Sequence, residues 1–296
     1  MKKAVFITLI LAGSIMLAAC GLEQETPGGS DSMGADSGSA ALAGVETPGK
    51  FVDSAAQKEA QDTALGEADP GSEEQRLAFG KVLWDVYQQG ILPDGGILDY
   101  SSMEDAENNS FAVMDIDNDG QEELLLFWDH ACMAGMIECV FGYADGAVYS
   151  ELTEFPGQIF YDNGVVEAGW SHNQGLAGDF WPYDLYRYDA ESDTYQSLGG
   201  VDAWDRRMAE ENSEGVLFPT DIDADGDGVV YYILPADWNG QYEDIPLVDG
   251  AEYESWRSAY IGGAEQIQIP YQSLTEENIA ALGYPKPDIV LTEPAG

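Results

Sequence analysis

Apolar positions follow two periods along the chain. Behind the capping-box pattern Ser72-Glu73-Glu74-Gln75, Phe79, Val82, Leu83, Val86 and Tyr87 recur at helical spacing up to Gly90. This predicts an amphipathic helix laid on a sheet. From about residue 136 the chain reads as hairpins. Residues 136–143 and 147–155 flank Asp145-Gly146, and residues 158–161 and 165–170 flank Asn163-Gly164. Tight Asp-Gly and Asn-Gly turns between aromatic or β-branched runs predict antiparallel pairs. Residues 184–189 and 194–198 form a further pair around Ala190-Glu191-Ser192-Asp193, and 229–234 reads as a strand. Helical spacing returns over 249–261, through Tyr253, Trp256 and Tyr260, and over 275–282, capped by Ser273 or Thr275 and stopped by Gly283. A short helix is also expected over 203–211. The fold class expected is α+β, mainly antiparallel β hairpins with a few flanking helices, as one domain over 72–296.

Residues 111–127 hold the densest candidate chemistry. Asp115, Asp117 and Asp119 alternate, Gly120 permits a sharp turn, and Gln121 can offer its backbone carbonyl. Glu123, or Glu122 beside it, would close the shell. Hard, mostly anionic oxygen donors at this spacing suit Ca²⁺ better than zinc or copper. The twelfth loop position, where an EF-hand carries Glu, is Leu126, within the apolar run Leu124-Leu125-Leu126-Phe127-Trp128. Such a run marks a buried strand, so the unit reads strand–loop–strand. In this it resembles the Asp-rich loops of FG-GAP/VCBS calcium repeats, which implies a structural Ca²⁺. A second loop, Asp221-Ile222-Asp223-Ala224-Asp225-Gly226-Asp227-Gly228, fits in two registers, starting at Asp221 or Asp223. Both registers lack the closing acid. Further copies at a regular period, which a propeller would require, are not found.

Outside these elements, the N-terminus changes the picture of location. Lys2, Lys3, an apolar stretch over 4–17 and Leu17-Ala18-Ala19-Cys20 read as a leader over 1–19. The last four residues resemble the bacterial lipobox, which implies lipid on Cys20 and an extracytoplasmic, membrane-anchored protein. Residues 20–71, rich in Gly, Ser, Ala and acids and poor in aromatics, are expected to be a disordered tether; a short helix over 54–64 would not alter that. Fifty-five acids against 11 bases give a net charge of −44. That excludes nucleic acid as a partner, since such binding relies on Lys and Arg neutralising phosphates. It also leaves the lipid to do the anchoring, because an anionic membrane surface would repel the domain.

Other candidate chemistry is thinner. Cys132 and Cys139 would be free to pair in an oxidising compartment if geometry allowed. Gly169-Trp170-Ser171-His172-Asn173-Gln174-Gly175 is the most unusual polar cluster: His172 would be a general base oriented by Asp179 or Asp129, or one of several turn side chains satisfying loop backbone. Ser171 lacks the strand–elbow–helix context of a nucleophile. Trp170, Trp181, Tyr186 and Tyr188 would form a ligand-stacking face, or else fill a β core. Phosphate loops, zinc spacings and dinucleotide fingerprints do not occur.

Met133-Ala134-Gly135-Met136, Phe155-Pro156-Gly157, Phe160-Tyr161-Asp162-Asn163-Gly164, the Trp170 to Gly175 cluster and Phe180-Trp181-Pro182-Tyr183 resemble cell-surface lipoproteins of gut clostridia across about 75–210. That likeness implies a surface lipoprotein and brings no activity with it. The functional expectation is therefore a calcium-stabilised, surface-anchored binding protein with a glycan or protein ligand. Its alternatives are a lipid-anchored hydrolase using His172 and a purely structural envelope protein; an enzyme is the less favoured class.

Overall fold

The computed structural model describes residues 70–287 apart from Gln174. The leader, Cys20, the expected helix over 54–64 and the tether up to residue 69 lie outside the described residues. Helix α1 (Pro70–Gln89) enters on the capping-box segment and stops where Gly90 turns to φ 66°. The short helix α2 (Met103–Ala106) follows. Strands β1 (Ser110–Met114), β2 (Glu123–Trp128), β3 (Ile137–Ala144) and β4 (Ala147–Glu154) then run as an antiparallel meander. A late strand, β11 (Gln272–Ser273), pairs with β1, so the first sheet reads β11-β1-β2-β3-β4. The second sheet holds β5 (Ile159–Phe160), β6 (Val165–Gly169), β7 (Tyr183–Asp189), β8 (Thr194–Asp205), β9 (Val229–Leu234) and β10 (Leu247–Val248). Its order is β10-β9-β8-β7-β6-β5, again antiparallel throughout. The protein is thus α+β, mainly antiparallel β, as its periodicities predict.

Layering explains the runs of apolar residues. Phe79, Leu83 and Val86 of α1 pack with Phe111, Leu124, Leu126 and Phe141 on one face of the first sheet, joined by Ile279 of α4 (Glu276–Ala280). The opposite face carries Ala112, Leu125, Val140 and Leu152, which pack against Phe160, Val166 and Tyr195 of the second sheet. The far face of the second sheet is covered by Tyr253 of α3 (Gly250–Tyr260), against Val165, Leu185 and Val201. Helix, sheet, sheet, helix is the resulting order. β2 is central to it, which is why Leu124, Leu125 and Leu126 are all fully buried: their strand has no solvent face. Burying each such side chain stabilises by about 1.5–3 kcal/mol.

One expectation is overturned. Residues 203–211 do not form a helix: β8 runs on to Asp205, its residues 202–205 paired with β9, and a turn follows. Ala203 and Trp204 are both fully buried, one on each face, so sheet pairing wins over local propensity. Cys132 and Cys139 are separate thiols. Cys139 points from mid-β3 into the α1-side core and accepts a hydrogen bond from Thr153 Oγ1 at 3.6 Å. Burial pushes its thiol up to about 12. Cys132 lies exposed on the loop before β3, its N–H donating to Asp99 Oδ2 at 3.1 Å. Among the described residues, no helix is long and apolar enough to cross a membrane.

Candidate metal centre

The β1–β2 loop folds around its own carboxylates. Gly120 N–H donates to Asp115 Oδ2 at 3.2 Å, Asp119 N–H to Asp117 Oδ1 at 2.9 Å, and Ile116 N–H to Glu123 Oε2 at 2.9 Å. Asn118 and Gly120 take positive φ, 66° and 94°, which wraps the loop back on itself. One oxygen of each acid is therefore used to fix backbone. The remaining oxygens turn inward, and Asp115, Asp117 and Glu123 each bring one within 4.8 Å of the others. Two oxygens on opposite sides of a Ca²⁺ lie within about 5 Å of each other, given bonds of about 2.3–2.6 Å.

Not every residue singled out by spacing joins this group. Asp119 is exposed and turns outward: its oxygens accept Gln121 N–H at 2.7 Å, Gln121 Nε2 at 3.2 Å and Tyr188 Oη at 3.5 Å. Gln121 is exposed with it. Glu122 faces away from the group and pairs with Arg76 at 2.9 Å, while its carbonyl accepts Gln75 Nε2. Strand alternation thus settles the choice between Glu122 and Glu123 in favour of Glu123.

Two carboxylates arrive from elsewhere. Glu151 of β4 and Asp193 of the β7–β8 turn form a second group with Asp117, again with one oxygen each within 4.8 Å. Asp193, at φ 53°, accepts hydrogen bonds from Tyr149 Oη and Tyr188 Oη. Gly142 makes the room: a Cβ there would stand 2.2 Å from Glu151 Oε1 and 2.6 Å from Tyr149 Oη. Asp117, Glu123 and Glu151 are only 8%, 3% and 6% exposed. Asp115 Oδ1, Asp117 Oδ2 and Glu151 Oε2 are buried and make no hydrogen bond among the described residues. Burial, reinforced by the neighbouring carboxylates, raises Asp117 to about 6, Glu123 to about 9 and Glu151 to about 8.

The second Asp-rich loop repeats the first loop's backbone. Asp227 N–H donates to Asp225 Oδ1 at 3.0 Å, Gly228 N–H to Asp223 Oδ1 at 3.3 Å and Val229 N–H to Asp227 Oδ1 at 2.7 Å. Gly226 and Gly228 carry the positive φ values, 75° and 86°. This fixes the register as the one that starts at Asp223 and leaves Asp221 outside the group. Asp223, Asp225 and Asp227 converge, but Asp225 and Asp227 are exposed and, among the described residues, no fourth acid joins them.

The aromatic candidates divide. Tyr186 and Tyr188 do share a face of β7, but that face packs on the first sheet, with Tyr186 Oη donating to Glu154 and Tyr188 Oη to Asp193. They line no ligand face. Trp170 instead borders a cavity of about 390 Å³ with Met133, Met136, Phe155, Ser171 and His172. Trp181 is 52% exposed, its indole N–H donating to Trp170 O at 2.6 Å, and Trp170 stacks on Trp238 with ring centroids 5.8 Å apart. His172 Nδ1 lies 3.0 Å from Ser171 Oγ. Asp179, suggested as its orienting acid, pairs with Arg207 at 2.8 Å instead. Comparisons of the chain with protein-family models, curated proteins and solved structures give no match.

Proposed function

We propose that the protein is a calcium-stabilised binding module held outside a bacterial cell by lipid on Cys20. Calcium, in this reading, is structural and sits between Asp115, Asp117 and Glu123. The observation that carries it is the pair of buried oxygens, Asp115 Oδ1 and Asp117 Oδ2, facing one point without a hydrogen bond. Burying carboxylates with one oxygen of each left without a hydrogen bond, and with no counter-charge, is costly, and a divalent cation at that point offsets the cost. Oxygen-only donors, most of them anionic, favour Ca²⁺, and an ion there would join β1 to β2 at the centre of the first sheet. The cavity beside Trp170 and the exposed Trp181 give the scaffold a half-apolar surface suited to a sugar ring or an extended protein segment.

Thermal unfolding of wild type and Asp117→Asn, with chelator and with Ca²⁺, tests the calcium reading. Wild type should gain about 2.7 kcal/mol at a Ca²⁺ concentration about 100 times Kd. Asp117→Asn removes a buried charge at constant volume. It should therefore be at least as stable as wild type in chelator yet gain almost nothing from Ca²⁺. Equal calcium gains in both proteins would leave the loop an acidic turn. The anchor has its own measurement: intact mass of membrane-extracted protein should place a lipidated Cys20 at the mature N-terminus, and Cys20→Ala should yield an unlipidated chain.

A further inference from the structure

The β1–β2 loop accounts for only three of the five converging carboxylates. We propose that a second divalent cation of calcium's class lies between Asp117, Glu151 and Asp193, that Asp117 bridges the two ions, and that the second ion ties the two sheets together. This rests on the calcium reading of the loop and goes beyond it.

Three observations carry the proposal. The two groups have only Asp117 in common, the pattern that two adjoining centres sharing one bridging carboxylate would give. Each centre has its own buried oxygen without a hydrogen bond: Asp115 Oδ1 in the first and Glu151 Oε2 in the second, with Asp117 Oδ2 available to both. Glu151 is 6% and Asp117 8% exposed, so neither oxygen has water as a ready substitute. Charge points the same way. Five carboxylates around one Ca²⁺ would leave three negative charges uncompensated in a mostly buried place, whereas two ions leave one. Asp193 remains a competent ligand although two phenols donate to it, because each carboxylate oxygen carries two lone pairs.

Position gives the second ion a distinct consequence. Asp115 and Asp117 belong to the β1–β2 loop, Glu123 to the start of β2 and Glu151 to β4, all in the first sheet, whereas Asp193 lies in the turn joining β7 to β8 of the second. The first ion closes a hairpin; the second crosses the space between sheets. Tyr188 of β7 already reaches across, donating to Asp193 and to Asp119 of the loop.

Counting bound calcium decides the matter. The full chain carrying Asp223→Asn, Asp225→Asn and Asp227→Asn, which silences the other Asp-rich loop, is dialysed against Ca²⁺ and its ions counted by native mass spectrometry and atomic emission. Two ions per chain are expected. Adding Asp193→Asn or Glu151→Gln should remove one ion or weaken it at least tenfold and leave the other in place. Asp117→Asn should weaken both. A single ion in the silenced chain, or a count and affinity unmoved by Asp193→Asn, would overturn the second position while leaving the loop ion standing. Absence of any bound calcium would overturn both. Should Glu151→Gln fail to fold, Asp193→Asn decides, since its side chain sits in a surface turn.

Discussion

At the scale of single residues, the carboxylates at the centre of the fold tie its stability to pH. Asp117, Glu123 and Glu151 are raised above their ordinary values by burial and by one another. An acid whose folded-state pKa is raised favours folding while it stays protonated, and that contribution is lost as pH climbs through the folded value. Without metal the protein should therefore lose stability from about pH 4, the ordinary carboxylate value, up to about pH 9, where the highest of these groups titrates in the folded chain. Calcium needs the deprotonated ligands, so its apparent affinity should rise between about pH 6 and pH 9, with protons released on binding. Calorimetry in two buffers of different ionisation heat would measure that release. A pH-independent melting temperature in chelator would contradict the placement of these acids. Residue spacing alone singles out Asp115, Asp117 and Glu123, which the fold brings together, because a loop of alternating acids before a glycine is a local pattern. Spacing does not distinguish Asp119, which lies outside their group, exposed and hydrogen-bonded to Gln121.

Among the elements, the β3–β4 pair shows why the rest of the centre was illegible. Val140 pairs with Leu152 and Phe141 with Ser150, so Glu151 is the extra residue of a β-bulge. A bulge breaks the period of two, and it lets Glu151 and Leu152, neighbours in sequence, both be buried. Reading β4 by alternation would place one of them in solvent. Asp193 was legible as a turn residue, but the carboxylates it meets, Asp117 and Glu151, come from the other sheet. By contrast, the hairpins around Asp145-Gly146 and Asn163-Gly164 and the run from Leu124 to Trp128 were read correctly, because turn chemistry and two-sided burial leave local marks. Gly142 faces Tyr149 across the same pair. Gly142→Ala would press a methyl onto the ends of Glu151 and Tyr149, side chains that can swing away. The fold should survive, with a cost of about 1–3 kcal/mol. Its calcium-induced stabilisation should fall well below that of wild type in the same thermal melts. An unchanged calcium response would mean that Glu151 does not need the space it occupies.

For the molecule as a whole, the question is how much of any calcium effect is specific when the chain carries a net charge of −44. Self-repulsion at that charge works against compactness, and any salt relieves it by screening. Sodium chloride should therefore raise the melting temperature too, steeply at low ionic strength and little beyond a few tenths molar, where the Debye length is already only several ångströms. Specific binding behaves differently. It saturates with Ca²⁺ concentration and persists on a high-salt background. It also depends on two sheets that meet at one cluster of buried acids, so the whole α/β/β/α stack should respond as a single transition. In about 0.3 M NaCl, Ca²⁺ at about 100 times Kd should still add about 5–11 °C for a domain of this size. Mg²⁺ should add less, because it demands a tighter octahedral shell and sheds water reluctantly. Asp115→Asn should suppress the increment that survives high salt while leaving the sodium-dependent rise intact, since one charge in so acidic a chain hardly alters screening. If Mg²⁺ and Ca²⁺ were equivalent on that background, or if sodium at matched ionic strength reproduced the whole rise, charge screening would account for the stabilisation and the buried centre would need another occupant.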